Sequence, residues 1–493
     1  MNAERDSPHA VAAARPHGRA VLRGALLLAA YVAIALLPVA LAWLQDLPRR
    51  PFNQDLSSGL AMAAFAMLLM EFLLAGRGRM LSRRIGMDIT MRVHQFAGMA
   101  ALALLALHPL LYGPMYSELQ PWDALRNRSV VLTNAAMVSG VLGLMLLAAL
   151  AFVAALRSRI GWTYETWRLA HVIGAVAVAG MGLHHTLATG RYAQDPASIA
   201  FWVAAAALAA AAMLKVYALD PLLAYLRRYR VVGVEREAER TWRMRLEPVA
   251  GRTLRFIGGQ FVWLKLGRAF ARITEHPFSI ASGPAADGRI DLLIKEAGDF
   301  TRTVGALAPG TAAFLDGPYG NFTLEGRSGE GVMLIAGGIG IAPMLSILHD
   351  MAGQGERRPV RLVYANRRAA QIAAQPELDA LGRRLRLEVL QVLGEPPADW
   401  PGMRGRLEGD TLAACLPKEG RERWLYFVCG PVEMIDAVEL ALERQGIPLG
   451  QIVSERFRYD GGVLTPRERL IRRVALAALG AIGLGVLLFA LAR

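Results

Sequence analysis

Six long runs without Asp, Glu, Lys or Arg precede residue 220, and they constrain the fold more than any other feature. They are Gly24–Leu44, Leu56–Met70 (reaching past Glu71 to Ala75), Val93–Ser117, Ser129–Leu156, Leu169–Gly190 and Pro196–Leu214. A helix needs about 20 apolar residues to cross a bilayer. Buried helices of a water-soluble core do not supply six such runs in succession. Composition agrees: of 493 residues, 54% are hydrophobic and 19% charged, against ~25% charged in an average soluble domain. Gly24–Leu44 exceeds the h-region of a signal peptide, has no A-x-A site behind it and is followed by further spans. It therefore reads as a retained first span, with residues 1–19 as a polar tail.

The charge pattern orients these spans. Lys plus Arg is 55 and Asp plus Glu is 41, a net +14. With the N-terminus in the cytoplasm, the inner loops carry Arg77, Arg79, Arg83, Arg84, Arg92, Arg157, Arg159, Arg168, Lys215, Arg227, Arg228 and Arg230. The outer loops carry only Arg49, Arg50, Arg126, Arg128 and Arg191. That is the positive-inside asymmetry of a multi-pass protein of the cell (inner) membrane, so the basic excess requires no nucleic-acid partner. Everything after Asp220 is then cytoplasmic. The two cysteines, Cys415 and Cys429, show no CxxC spacing, which disfavours a disulfide framework and a thiolate metal site.

Five of the nine histidines lie inside spans three and five: His94, His108, His171, His184 and His185. Ionisable side chains within a bilayer are costly and mark function. His94 and His108 are 14 residues apart, as are His171 and His185, with His184 one residue nearer. Fourteen residues at ~100° each return to nearly the same helix face, about 21 Å along the axis. Spans three and five run in the same direction. His94 therefore meets His171 near the inner side, and His108 meets His184 or His185 near the outer side. Two stacked bis-imidazole sites are the pattern of two b-type haems. A single zinc or copper site would need its ligands at one depth. A straight helix favours His185, while a kink or π turn at Gly174, Gly180 or Gly182 would bring His184 round instead.

From about Tyr229 the pattern changes. Short alternating runs, Arg230–Val234, Trp242–Leu246 and Gln260–Leu266, predict antiparallel strands. From Gly331 strands (Val332–Ala336, Val360–Tyr364, Trp424–Cys429) alternate with helix (Met344–Met351), which predicts an α/β unit with a parallel sheet. Gly337-Gly338-Ile339-Gly340-Ile341-Ala342-Pro343 closes a strand and opens a helix, a turn able to cradle a pyrophosphate. Around it, in order, stand His276-Pro277-Phe278-Ser279, Gly298-Asp299-Phe300-Thr301, Gly317-Pro318-Tyr319-Gly320, Cys429-Gly430-Pro431 and Glu455-Arg456-Phe457.

This ordered series resembles the ferredoxin–NADP reductase superfamily over residues 229–460, and the six-span half resembles the ferric-reductase transmembrane domain. Together they resemble the haem-flavin transmembrane reductases of the ferric reductase/NADPH oxidase superfamily. The resemblance implies a multi-domain membrane protein: tail 1–19, six-helix haem-binding bundle 20–219, FAD-binding antiparallel β-barrel 220–322, NAD(P)-binding α/β domain 323–460, and a basic linker with a C-terminal transmembrane helix over 461–493. It places His276, Pro277, Phe278 and Ser279 on the flavin, with Lys295 sharing the charge that soluble members place on an Arg. Gly298 and Thr301 would turn about the flavin diphosphate. Gly317, Pro318 and Gly320, with Gly337, Gly338, Gly340 and Pro343, would line the nicotinamide nucleotide. Cys429, Gly430, Pro431, Glu455 and the flavin-shielding Phe457 would surround hydride transfer together with Ser279. Arg367 and Arg368 stand where a 2′-phosphate could be met, which leans the reading towards NADPH over NADH. Ala342 departs from a frequent Thr.

The implied activity is electron transfer from NAD(P)H through FAD and two haems to an acceptor on the outer face, ferric iron or a ferric chelate. A superoxide-forming oxidase and an electron-donating subunit for a partner protein are the alternatives. Tyr112 stands where the oxidase branch often has another His. Arg467, Arg469, Arg472 and Arg473 precede the uncharged Val474–Ala492, a predicted seventh span that would place the C-terminus outside and act as a tether or a dock for a protein partner.

Overall fold

A computed structural model describes residues 16–74, 87–111, 135–249, 253–267, 275–285, 287–456 and 465–493. Tyr112, Phe457 and the loop arginines Arg77, Arg79, Arg83, Arg84, Arg126 and Arg128 lie outside the described residues. The chain divides into two compact units: Arg23–Gly78, Thr90–Ala218 and Ile471–Arg493 form one, and Leu219–Leu470 belong to the other.

Among the described residues, seven helices are long and apolar enough to cross a membrane. The first six are α1 (Pro16–Trp43), α2 (Phe52–Leu74), α3 (Met87–Leu111), α4 (Ala135–Ala155), α5 (Tyr164–Thr189) and α6 (Pro196–Leu214); the seventh span is Pro466–Ala492. The membrane window of α2 is 67% buried, against 28% or less for every other span, so α2 is the central helix. Its Gly59, Ala63, Ala64 and Ala66 let neighbours approach closely. A β-carbon on Gly59 would stand 2.8 Å from Val486 of the seventh span. Ile482, Val486 and Phe489 join Ala35, Val39 and Ala42 of α1 in one buried cluster with α2 and α3. The seventh span is thus part of the bundle's core.

Helix α5 begins five residues before its uncharged run, because Thr163 caps it: the Thr163 hydroxyl accepts from Thr166 N at 3.2 Å. Arg168 consequently sits inside the helix, buried, with its guanidinium over the Tyr217 ring at 5.3 Å. The helix is α throughout, without the π turn that would favour His184. Two of its three glycines serve packing instead: Gly174 receives Leu150, and Gly182 receives Phe65. The π turn falls at Lys215–Leu219, where α6 runs on towards Asp220.

The second unit holds two sheets. β1 (Arg228–Ala238), β2 (Thr241–Pro248), β3 (Phe261–Leu266), β4 (His276–Ser279), β5 (Ile290–Lys295) and β6 (Ala312–Tyr319) pair antiparallel in the order β4-β3-β6-β1-β2-β5. A bridge between Ile280 and Leu292 draws the β4 and β5 edges together and curls the sheet into a barrel around Tyr229, Val231, Leu246, Leu264, Ile280 and Leu292. β7 (Gly331–Gly337), β8 (Val360–Asn366), β9 (Leu387–Leu393), β10 (Met403–Arg404), β11 (Trp424–Cys429) and β12 (Ile452–Glu455) pair parallel in the order β10-β9-β8-β7-β11-β12. Alternating residues of β7 and β11 face opposite sides. Leu334 and Phe427 pack with α7 (Ile341–Gly353) and α8 (Gln375–Gly382), whereas Met333, Ile335, Tyr426 and Val428 pack with α9 (Val432–Arg444). The direction of strand succession reverses between β7 and β11. In open α/β sheets the crevice at the carboxyl ends of such neighbours is where ligands bind.

Candidate functional site

The switch point is built from backbone. A β-carbon on Gly340 would meet the carbonyl oxygen of Cys429 at 2.1 Å, and one on Gly430 would meet the α-carbon of Gly337 at 3.0 Å. Any side chain at these positions would force the two turns apart. Gly338 adopts φ 53°, a left-handed conformation that favours glycine. The turn delivers the chain into the first residues of α7, where Pro343 forfeits no helical hydrogen bond. Lys295, at the end of β5, holds its ammonium 3.7 Å from where a Gly338 β-carbon would be. A cation, a glycine turn and a helix N-terminus therefore converge on one crevice. Its walls also include Glu239, Thr241, Tyr364, Asn366 and Gln371, none of which stands out in the sequence because they come from a hairpin tip, a strand end and a short 3-10 turn.

Cys429 and Glu455 are register partners at the ends of β11 and β12. Gly320, at φ 94°, brings its backbone to the same place: its β-carbon would stand 3.1 Å from the Glu455 carboxylate. Cys429 is buried, and burial followed by the Glu455 charge pushes its thiol well above the ordinary range. It is a neutral, packed group and no thiolate nucleophile. Arg367 and Arg368 are both engaged, Arg367 with Glu395 at 2.7 Å and Arg368 with Glu239 at 2.8 Å.

On the barrel, His276 stacks against Phe300 with ring centroids 3.9 Å apart, and Phe278 lies 6.1 Å from the same ring. Pro277 and Ser279 fill the β4 register opposite Trp263 and Phe261. The Thr301 hydroxyl accepts from the N–H groups of Ala297 at 2.8 Å and Gly298 at 2.9 Å, closing the turn that carries Phe300. An aromatic wall beside a tight glycine turn fits a flavin dinucleotide.

In the bundle, His94 and His171 face each other with ring centroids 6.4 Å apart and planes at 78°. Two imidazoles bonded to a common ion at about 2 Å from each nitrogen hold their centroids about 6 Å apart, so this pair fits a metal between them. Hydrogen bonds fix the tautomers. His94 Nδ1 lies 2.6 Å from the Glu71 carboxylate, which in its ionised form accepts the Nδ1–H. The Ser57 hydroxyl donates to the His108 carbonyl at 2.7 Å and so accepts from His108 Nδ1 at 2.8 Å. The Ser139 hydroxyl donates to Ala136 O and accepts from His184 Nδ1 at 2.9 Å; His185 Nδ1 donates to Ala136 O at 2.8 Å. In each case Nε2 is the lone-pair nitrogen, as in metal-ligating histidines whose Nδ1–H is held by an acceptor. His171 stacks on Trp167, centroids 5.3 Å apart. His185 occupies a notch left by Gly140 and interacts electrostatically with His108; His184 is the more exposed of the two. Glu71 entered the sequence reading only as an interruption of an apolar run, and Ser57 and Ser139 not at all.

Three protein families match successive parts of the chain: "Ferric reductase like transmembrane component" over residues 60–182, "FAD-binding domain" over 241–323 and "Oxidoreductase NAD-binding domain" over 334–440. Among curated relatives, NADH-cytochrome b5 reductase 1 of Laccaria bicolor is 33% identical over 34% of this chain and 57% of its own length. The ferredoxin–NAD(+) reductase component of the alkene monooxygenase system of Xanthobacter autotrophicus is 35% identical over 43% and 65%. Sulfhydrogenase 1 subunit gamma of Pyrococcus furiosus is 30% identical over 43% and 71%. The chain thus spans less than two thirds of the length of the first two. The first two relatives are named as NADH- or NAD(+)-linked reductases, and the chain is a membrane-embedded oxidoreductase with FAD- and NAD(P)-binding domains.

Proposed function

The chain belongs to the ferric reductase/NADPH oxidase superfamily, and from that premise we propose that it carries electrons from cytoplasmic NAD(P)H across the cell membrane to ferric iron or a ferric chelate on the outer face. Bound FAD would accept a hydride and release single electrons, and two b-type haems would pass them across the bilayer. The single observation that carries this reading is the opposed His94–His171 pair inside an apolar bundle, on the same chain as a flavin and nucleotide module.

The chain's own residues have definable parts in it. Lys295, expected on the flavin, stands beside Gly338 and with the turn Gly337–Gly340 would instead bind the coenzyme diphosphate at the α7 terminus. Gly320, Cys429 and Glu455 shape the packed, water-poor end of the crevice where the nicotinamide ring reaches the flavin. His276, Phe278 and Phe300 hold the flavin dinucleotide against the barrel. His94 and His171 hold the inner haem, and His108 with His184 or His185 the outer one. The assigned sides follow from the Arg and Lys distribution, which keeps the N-terminus and the flavin module in the cytoplasm. The haem bundle extends over 20–219, the flavin barrel over 220–322 and the nucleotide domain over 323–460.

A visible difference spectrum of the detergent-purified full chain tests this. Anaerobic NADPH or NADH should bleach the flavin and develop reduced b-type bands, and ferric citrate should then reoxidise them with no other protein present. Flavin bleaching without any haem band in a cofactor-replete preparation would overturn the reading. Reoxidation by oxygen but not by ferric citrate would move the acceptor to oxygen.

A further inference from the structure

We propose that Glu71 is a positioning residue that fixes the Nδ1–H tautomer of His94 and, through its negative charge, gives the His94–His171 site a lower reduction potential than the outer site. The inference rests on the bis-imidazole reading above and adds a direction to it: electrons entering at the inner site run downhill to the outer one.

The asymmetry lies in the acceptors behind the histidines. Glu71 is 6% exposed on the central helix, and its carboxylate lies 2.6 Å from His94 Nδ1. Tyr31 of α1 interacts with the same carboxylate. A buried carboxylate inside a span is costly, and its retention calls for a task. The outer histidines face neutral acceptors instead: the Ser57 hydroxyl for His108, the Ala136 carbonyl for His185 and the Ser139 hydroxyl for His184. The other buried carboxylate of α2, Asp55, accepts the Tyr192 hydroxyl at 2.6 Å, with Arg191 and Arg493 over the Tyr192 ring. Among the described contacts it reaches no histidine. On the inner side the Arg157 guanidinium lies over the Trp167 ring that His171 also stacks on, and Arg92 and the buried Arg168 share the helices of His94 and His171, so Glu71 is the anion set against these cations. An imidazole whose N–H is held by an anion is a more basic ligand and favours the oxidised metal; a neutral acceptor does so less.

The test is a potentiometric titration of the purified full chain, read from the visible spectrum. Wild type is titrated first, and absence of a b-type spectrum there would overturn the bis-imidazole reading before any variant is made. Glu71→Gln keeps an oxygen to accept the Nδ1–H and removes the charge. Its haem-to-flavin ratio should stay at the wild-type value. At a fixed potential the reduced-to-oxidised ratio of the lower step should rise about tenfold, 59 mV for one electron, while the upper step stays. Ser57→Ala should leave the lower step in place. An unmoved lower step in Glu71→Gln, or a shift confined to the upper step, overturns the proposal. If Glu71→Gln loses haem, Glu71→Asp decides: retained haem with a wild-type lower step supports it, and loss of haem there too overturns it.

Discussion

Arg367 stands just beyond β8 with its guanidinium 2.7 Å from Glu395, and both side chains are more than half exposed. A pair in that setting contributes about 0–1 kcal/mol, because water screens it and two long side chains must be held still. A phosphate dianion is a stronger, bidentate partner for the same group and can displace the carboxylate. Arg368 is placed differently. Its partner Glu239 forms a wall of the nucleotide crevice, and Arg368 is occupied there in neutralising that carboxylate. If the coenzyme is NADPH, Arg367 is the residue placed to meet its 2′-phosphate. Arg367→Ala should lower kcat/KM for NADPH by roughly tenfold, the worth of one charge-assisted contact, and leave NADH nearly unchanged. The NADPH-to-NADH ratio is the readout, since general damage moves both together. An unchanged ratio would assign Arg367 to its ion pair with Glu395 alone.

Between elements, one guanidinium joins the barrel to the nucleotide domain. Arg243 of β2 is buried, and it reaches Glu237 of β1 at 2.7 Å, Asp291 of β5 at 3.2 Å and Glu377 of α8 at 2.5 Å. His349 of α7 bonds the other oxygen of Glu377. Burial opposes ionisation of Glu377, but His349 and Arg243 outweigh it and hold its carboxyl below the ordinary value. A depressed folded-state carboxyl contributes stability that is fully present above its unfolded range and disappears as pH falls through the folded value. Asp291, raised by burial despite Arg243, acts in the opposite sense, so a difference between variants is cleaner than a whole pH curve. Glu377→Gln should lower the flavin-release temperature at neutral pH by the worth of a charged hydrogen bond, about 1.5–3 kcal/mol, because Arg243 keeps Glu237 and Asp291. That gap should close as pH drops below the carboxylate range; a gap of equal size at both ends would mean that the charge contributes nothing. Sequence alone could not show this joint. Glu237, Arg243, Asp291, His349 and Glu377 share no spacing and meet only through strand register and helix packing. The glycine turns and strand runs were legible because each is local, with its reason in neighbouring residues. The glycines of α5 show the limit: Gly174 and Gly182 looked like hinge material, yet each leaves room for a side chain from another helix. Glu71 was visible only as a break in an apolar run, because its meaning lies 23 residues away at His94.

At the scale of the molecule, the seventh span belongs to both units. Its first turn is held in the nucleotide unit, where Glu468 caps Thr465 N at 3.1 Å, Arg469 pairs with Glu443 of α9 at 3.0 Å, and the buried Arg456 bonds Asp436 and reaches Glu439 at 3.0 Å. From Ile471 onward it belongs to the membrane unit, where Phe489 and Val486 are fully buried and the Arg493 guanidinium bonds backbone carbonyls behind α1. The chain therefore passes between the units at both ends of its flavin and nucleotide module, after Ala218 and after Leu470. The same burial argues for a structural role of this helix face rather than a dock for a partner, because the face with Ile482, Val486 and Phe489 is already filled. Phe489→Ala tests this. In water such a truncation costs about 3–5 kcal/mol, but lipid supplies no hydrophobic drive between helices, so only the packing share of that loss applies here. The variant should unfold at a lower temperature in detergent with its flavin content intact, and wild-type melting would place the seventh span outside the bundle's core.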